Sequence, residues 1–78
     1  MQTTANASAL RETVAALIGA APEDIAGDAN LVYLGVGSLE MMRLVTRYRR
    51  QGVTLDFAVL AAEPTLDAWE RHLREAVR

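Results

Sequence analysis

Three stretches of this 78-residue chain carry apolar residues at helical spacing, and glycine or proline separates them. The first stretch begins after Ser8, a candidate N-cap, and ends at Gly19. The second is predicted to be a helix from Ser38 to Arg50. This pattern predicts an all-α fold. The stripe of the first stretch consists of Leu10, Val14, Leu17 and Ile18.

Two further helices complete the predicted fold, a small four-helix bundle with three main helices and a short third one. The short helix follows the N-cap Asp56 and runs to about Ala61, after an extended loop of residues 53–55. Thr65 is predicted to cap the fourth helix. We expect Trp69 to lie in the core, with its indole N–H at the edge. The core face of that helix is predicted to consist of Leu66, Trp69, Leu73 and Val77.

The remaining segments are predicted to be turns, loops and ends. Residues 22–25 are predicted to be a short turn, and Gly52 suits the left-handed position after the second helix. Residues 1–7 are expected to be a flexible N-terminus and residues 8–78 a single domain. Residues 26–37 are expected to form an ordered loop, which is pinned to the core by Leu31, Val32 and Leu34.

Composition excludes several classes of function. The chain has no cysteine and one histidine, His72, so it offers neither a disulfide framework nor a His-cluster metal site. A formal net charge of −2 argues against general nucleic-acid binding. No apolar run approaches the length of a membrane span, so we expect a soluble cytoplasmic protein without membrane contact. Catalysis is not expected either, because His72 is predicted to be at the surface and no nucleophile elbow is present.

Ser38 is the candidate functional residue. It follows two glycines, Gly35 and Gly37, where the second helix begins, so its hydroxyl is expected to be exposed beside free backbone N–H groups. Such a position favours a phosphate. Serine is also a preferred N-cap, and the local residues leave both interpretations open.

The second helix has more apolar and basic residues than a core-facing helix needs. We expect Leu39 and Met42 to lie exposed or at a rim, although methionine is also common core filler. Arg43 and Arg47, with the neighbouring arginines, form either a solvated face or a surface that docks a partner protein.

Three motifs resemble carrier proteins of nonribosomal peptide assembly, most closely the aryl carrier domains of siderophore-type pathways. Residues 30–39, Asn-Leu-Val-Tyr-Leu-Gly-Val-Gly-Ser-Leu, resemble the carrier motif N-L-x-x-L-G-x-D-S. Residues 41–49 resemble the basic second helix of aryl carriers. Residues 56–69 resemble their pattern F-x-x-L-A-x-x-P-T-x-x-x-W. The resemblance covers roughly residues 8–75 and implies an acyl-carrier-protein-like bundle.

The resemblance implies that Ser38 receives 4′-phosphopantetheine from coenzyme A and holds an aryl, or an aminoacyl, group as a thioester. The implied partners are a phosphopantetheinyl transferase, an adenylation enzyme for an aryl or amino acid, and a condensation or cyclisation domain. The chain would be a non-catalytic, monomeric carrier. The implied docking positions, beside Leu39, Arg43 and Arg47, are Met42, Phe57 and Ala61; from the residues alone, Met42 and Phe57 are also candidates for the core.

One position departs from the family pattern. The residue before the serine is usually Asp in carriers, and here it is Gly37. Glycine costs only a few tenths of a kcal/mol as a cap, so the fold should survive the change. The departure leaves a second hypothesis open, in which the chain is an unmodified helical interaction module that has kept the carrier fold.

Overall fold

Four α-helices and a short 3-10 helix make up the part of the chain that the computed structural model describes, residues 7–77. The prediction of an all-α bundle with a short third helix is confirmed. The expected flexible N-terminus falls on residues that lie, except for Ala7, outside the described part. The elements are α1 (Ala7–Ile18), the 3-10 helix (Pro22–Asp24), α2 (Ser38–Arg50), α3 (Phe57–Ala62) and α4 (Leu66–Ala76).

Most predicted helix ends are confirmed. Gly19 and Gly52 have φ angles of 71° and 83°, in the left-handed region that glycine adopts most readily. The Asp56 side chain accepts a hydrogen bond from the N–H of Ala58, and the Thr65 hydroxyl accepts one from the N–H of Ala68. The first helix starts at Ala7, two residues earlier than a cap at Ser8 predicts, so Ser8 lies in the first turn of α1.

The core lies where α1 and α2 meet α3 and α4. Helix α1 contacts both α2 and α4, and α3 contacts both α2 and α4. Trp69 is 1% exposed, and its indole N–H donates to the carbonyl of Leu60 at 3.0 Å. That carbonyl lies in the last turn of α3, where it has no N–H donor from within the helix and can accept from the indole. The prediction that the indole N–H lies at the edge of the core is therefore wrong, since this hydrogen bond is buried.

Two sets of contacts hold the long connection between α1 and α2 in place. The guanidinium of Arg11 donates to the carbonyls of Pro22 and Ile25 and pairs with Glu70 at 3.9 Å, which joins α1, the connection and α4. Further along, the N–H of Leu31 donates to the carbonyl of Pro64 at 2.7 Å. The connection is thus an ordered loop, as predicted.

The residues that anchor this loop differ from the predicted set. Leu31 is fully buried, but Val32 and Leu34 are 48% and 44% exposed, and Val36 is buried instead. The reason is a tight turn in which the N–H of Leu34 bonds to the carbonyl of Leu31 and that of Gly35 to Val32. Only the two ends of such a turn reach the core.

The predicted core face of α4 is correct except at its last position. Leu66, Trp69 and Leu73 are buried, whereas Val77 is 47% exposed. Val77 is the C-cap residue, beyond the last helical turn, and Ala76 packs against the core in its place.

Tyr48 is a buried residue with an unusual hydroxyl. The side chain is 1% exposed, and its oxygen has no hydrogen-bond partner within residues 7–77. Burial raises the pKa of Tyr48 above its ordinary value of 10.0, because the charged phenolate would lose its hydration.

Replacing Tyr48 by Phe should stabilise the fold by about 1 kcal/mol, because it removes a buried polar group that gains no hydrogen bond. The wild type should also lose stability as the pH rises above 10.0, and the variant should lose less. Urea unfolding at neutral and alkaline pH measures both effects. Tyr33→Phe is the matched control, since Tyr33 is 87% exposed and should change nothing. A loss of stability in Tyr48→Phe would contradict the prediction.

Candidate functional site

The loop before α2 has a defined conformation. It opens on Asn30, whose side-chain oxygen accepts hydrogen bonds from the N–H groups of Val32, at 2.9 Å, and Tyr33, at 3.4 Å. It closes where the N–H of Val36 donates to the carbonyl of Leu31 at 2.9 Å. Gly35 lies between, with a φ of 110°, a conformation that residues with a Cβ rarely adopt. The chain thus enters α2 from a tight turn that is closed by hydrogen bonds.

Ser38 is the first residue of α2, and the N-cap is Gly37. The interpretation of Ser38 as a helix cap is therefore wrong. The cap position requires extended backbone, and Gly37 has it, with φ −96° and ψ −170°, whereas Ser38 already belongs to the helix. Ser38 is exposed, and within the described residues its hydroxyl takes part in no hydrogen bond. The hydroxyl is thus free to react or to bind.

The start of α2 has free backbone donors. The first helical hydrogen bond runs from the N–H of Met41 to the carbonyl of Gly37, at 3.0 Å. The N–H groups of Ser38, Leu39 and Glu40 precede it and donate to no backbone carbonyl in the described part of the chain. Because Gly37 has no side chain, it cannot cap them. Three N–H groups without a backbone acceptor therefore lie at the positive end of the helix dipole, in the same turn as Ser38, and favour an anion.

Among residues 7–77, Glu40 supplies the side-chain hydrogen bond at this helix start. Its carboxylate accepts a hydrogen bond from the N–H of Gly37 at 2.9 Å, which is one half of a capping box. This contact holds Gly37, and therefore the turn into Ser38, against the first turn of α2.

The predicted docking residues divide between two places. Leu39, Met42, Arg43 and Arg47 line an open cleft between α1 and α2. Leu39 and Met42 are 60% and 42% exposed, as predicted for the excess apolar residues of α2.

The other two docking candidates lie on α3 and do not line this cleft. Phe57 is partly buried and packs against the core, whereas Ala61 is exposed. Helix α3 packs against α2, so its residues border α2 without sharing the cleft with α1.

The cleft also contains residues outside the predicted docking set. Arg50, one of the neighbouring arginines already assigned to the basic face of the second helix, follows Arg43 and Arg47 at i+7 and i+3, a spacing that places all three on one face. Sequence reasoning missed the residues that α1 contributes. Ala16 and Leu17 form part of the opposite wall. They could not be found from the sequence, because only the packing of α1 on α2 brings them there.

The described residues hold no other recognisable centre of chemistry. His72 is only half exposed, and its Nε2 accepts a hydrogen bond from the N–H of Asp56 at 3.0 Å, so its ring serves the start of α3. The prediction of a surface histidine is thus only partly correct. Within residues 7–77 no three His, Asp or Glu side chains are grouped to hold a metal ion. In the same range no helix is both long and apolar enough to cross a membrane.

Comparison with known proteins identifies the fold. Residues 8–73 match the family model described as the phosphopantetheine attachment site. The chain belongs to this family. The match confirms the resemblance to phosphopantetheine carriers and covers nearly the whole described part.

Individual relatives agree with the family assignment. The chain is 46% identical over 68 residues to phenyloxazoline synthase MbtB of Mycobacterium tuberculosis, covering 87% of the chain and 5% of the synthase. It is 38% identical over 74 residues to enterobactin synthase component B of Escherichia coli, covering 95% of the chain and 26% of that protein. An isochorismatase of Bacillus subtilis is 36% identical over 64 residues, covering 82% of the chain and 20% of that protein. The chain thus spans a small part of each relative.

The geometry at Ser38 fits the attachment of phosphopantetheine, the group that defines the family. Attachment of phosphopantetheine needs an accessible hydroxyl and a place for a phosphodiester, and the exposed Ser38 and the free N–H groups of α2 supply both. A Cβ at position 37 would lie 3.2 Å from the Glu40 carboxylate oxygen, a close contact that the flexible Glu40 side chain can relieve.

Gly37→Asp should be more stable than Gly37→Ala by about 1 kcal/mol, because only the Asp side chain can accept a hydrogen bond from the free N–H groups of α2. Both variants place the same Cβ beside Glu40, so their difference isolates the cap. Urea unfolding of the two variants measures it. Equal stabilities would show that the cap bond does not form.

Proposed function

We propose that this chain is a carrier domain in which Ser38 bears 4′-phosphopantetheine and holds an aryl group as a thioester. The observation that carries the proposal is the exposed Ser38 hydroxyl, without a hydrogen bond, at the first residue of α2 in a phosphopantetheine attachment domain. The carrier would pass its group from an adenylation enzyme to a condensation or cyclisation partner in nonribosomal peptide synthesis of the siderophore type.

Ser38 would be modified by a separate transferase. Its oxygen attacks the phosphorus that joins phosphopantetheine to the rest of coenzyme A and forms a new phosphodiester bond. The serine proton is lost, and the adenosine bisphosphate half of coenzyme A leaves. The phosphodiester would then be held beside the N–H groups of Ser38, Leu39 and Glu40, where the helix dipole stabilises its charge. Once attached, the group supplies a thiol that forms the thioester.

The chain itself would not catalyse these steps. A nucleophilic serine needs a general base within hydrogen-bond reach, and His72 is instead engaged with the backbone of Asp56. The Glu40 carboxylate is held by the N–H of Gly37. Activation of the serine would therefore come from the transferase.

A relative whose name includes a phenyl group supports an aryl group over an aminoacyl group. It is the phenyloxazoline synthase, which is 46% identical to the chain over 68 residues. A carrier that serves such enzymes must dock on several partners in turn. We propose that α2 and α3 share this task, with docking residues Leu39, Met42, Arg43, Arg47, Phe57 and Ala61.

A second candidate function is an unmodified interaction module with the carrier fold. Gly37 favours this second function, because the family pattern has an acidic residue before the serine and this chain has glycine there. The two functions differ in one measurable property, which is whether Ser38 accepts the group.

Incubation with coenzyme A and a broad-specificity phosphopantetheinyl transferase should add the mass of one phosphopantetheinyl group to the wild type. Ser38→Ala should gain nothing, because it lacks the acceptor oxygen. Ser8→Ala is the matched control, since Ser8 and Ser38 are the only serines, and it should be modified like the wild type. Intact mass spectrometry measures all three. An unmodified wild type at high transferase concentration would favour the interaction module.

Met42→Ala should leave stability nearly unchanged and markedly slow transfer of the aryl group to the downstream partner, because Met42 is 42% exposed. The matched control is Met41→Ala. Met41 is 4% exposed, so its truncation should cost about 2–5 kcal/mol. Thermal unfolding and transfer rates distinguish the two variants. A large stability loss in Met42→Ala, or unchanged transfer, would remove Met42 from the docking surface.

A further inference from the structure

The cleft between α1 and α2 contains the proposed docking residues of α2, and it adds a wall from α1 that the proposed α2–α3 docking surface does not include. It has a volume of about 730 Å³ and is open to solvent. On α2 its lining extends from Leu39 to Arg50, a distance of about 16 Å along the helix axis. On α1 it extends from Glu12 to Leu17. A cleft of this length and shape, with a helix on each side, can accept about two to three turns of another helix.

One wall of the cleft is strongly basic. Arg43, Arg47 and Arg50 follow one another at spacings of four and three residues, so they share one face of α2, and all three are exposed. The ion pairs found within residues 7–77 involve Arg11 and Arg71 instead. Three arginine charges therefore project along the cleft without an acidic partner from the described part of the chain.

The opposite wall and the end of the cleft are mostly small or apolar. Ala16 and Leu17 lie on α1, and Leu39 closes the end nearest to Ser38. Glu12, also on α1, is the single acidic residue of the lining. The cleft thus combines an apolar strip with a row of cations on one side.

We propose that this cleft binds an acidic amphipathic helix of a partner protein. Carboxylates at i, i+4 and i+7 of that helix would pair with the arginine row, and its apolar face would cover Leu17 and Leu39. Arginine suits this task, because its planar group can donate two parallel hydrogen bonds to one carboxylate. Glu12, on the wall formed by α1, would favour a basic residue on the facing side of the partner helix. This pair would fix the rotation of the bound helix about its axis.

The charge of α2 favours an acidic helix as the partner. Helix α2 has four arginines against one glutamate, although the chain as a whole has a formal net charge of −2. A small-molecule ligand is disfavoured, because such sites place a few buried polar groups around the ligand, and none of the polar or charged residues that line this cleft is buried. The proposal is independent of Ser38, since the cleft is formed by other side chains.

Nuclear magnetic resonance titration of the ¹⁵N-labelled chain with a synthetic helical peptide tests the proposal. The peptide carries Glu at i, i+4 and i+7 and Leu on the adjoining face, and a control peptide has the same composition with its Glu residues distributed around the helix. We expect the first peptide to shift the amide signals of Ala16, Leu17, Leu39 and Arg47, and to bind about tenfold more tightly than the control. The same result is expected for Ser38→Ala, which separates this proposal from modification of Ser38.

Charge reversal provides the matched variants. Arg47→Glu should weaken binding of the peptide by about tenfold or more, whereas Arg49→Glu, exposed on the same helix but outside the cleft, should change it by less than about twofold. A peptide in which Lys replaces only the Glu that faces position 47 should regain affinity for Arg47→Glu. Ala16→Trp should block the cleft, and Ala58→Trp on α3, which is also exposed, should not.

Several results would overturn the proposal. Equal losses of peptide affinity in Arg47→Glu and Arg49→Glu would indicate unspecific attraction. Amide shifts confined to Phe57 and Ala61 would place peptide binding on α3. Concentration-dependent shifts at the cleft without peptide would assign it to a second copy of the chain. Shifts at the cleft on phosphopantetheinylation alone would assign it to the protein's own prosthetic arm.

Discussion

The position of Ser38 depends on how Leu31 is anchored. Its side chain is fully buried, its N–H donates to the carbonyl of Pro64 at 2.7 Å, and its carbonyl accepts from the N–H of Val36 at 2.9 Å. The first bond ties the long loop to the junction between α3 and α4, and the second closes the turn that leads into α2. Without both bonds, the free N–H groups of α2 and the serine hydroxyl would not be held in a fixed place on the surface.

This anchoring explains how a small domain can present a reactive group without a binding pocket. The loop hides only Leu31 and Val36 and leaves the backbone around Ser38 in solvent. The candidate site consists of an exposed hydroxyl and a helix start, which suits the proposed modification of Ser38 by a separate transferase. A pocket around Ser38 would hinder such access, so the proposed carrier role and the exposed geometry are consistent with each other.

The surface beside the site has two parts with different chemistry. Towards α1, helix α2 combines exposed apolar residues with an arginine row. Towards α3, it borders a short helix whose start is held by the Asp56 cap and by the contact between Asp56 and His72. Two such surfaces on one helix would allow different partners to approach the same serine from different sides.

The sequence by itself determined the helices and most of their ends, because Gly19, Gly52, Asp56 and Thr65 act through local backbone geometry. It also located Ser38, since a glycine-rich turn before an amphipathic stripe is a local pattern. Apolar character alone could not separate the buried Leu31 from the exposed Val32 and Leu34, because hydrogen bonds within the turn decide which side chains face inwards.

Only the tertiary structure decided which residues meet across helices. It showed that Gly37 rather than Ser38 caps α2, because the cap is defined by the dihedral angles at the end of the loop. It buried the Trp69 indole N–H against the carbonyl of Leu60, and it placed Ala16 and Arg47 on facing walls of one cleft. These contacts join residues far apart in the chain, and helical periodicity fixes which face of a helix is apolar without fixing which helix covers that face.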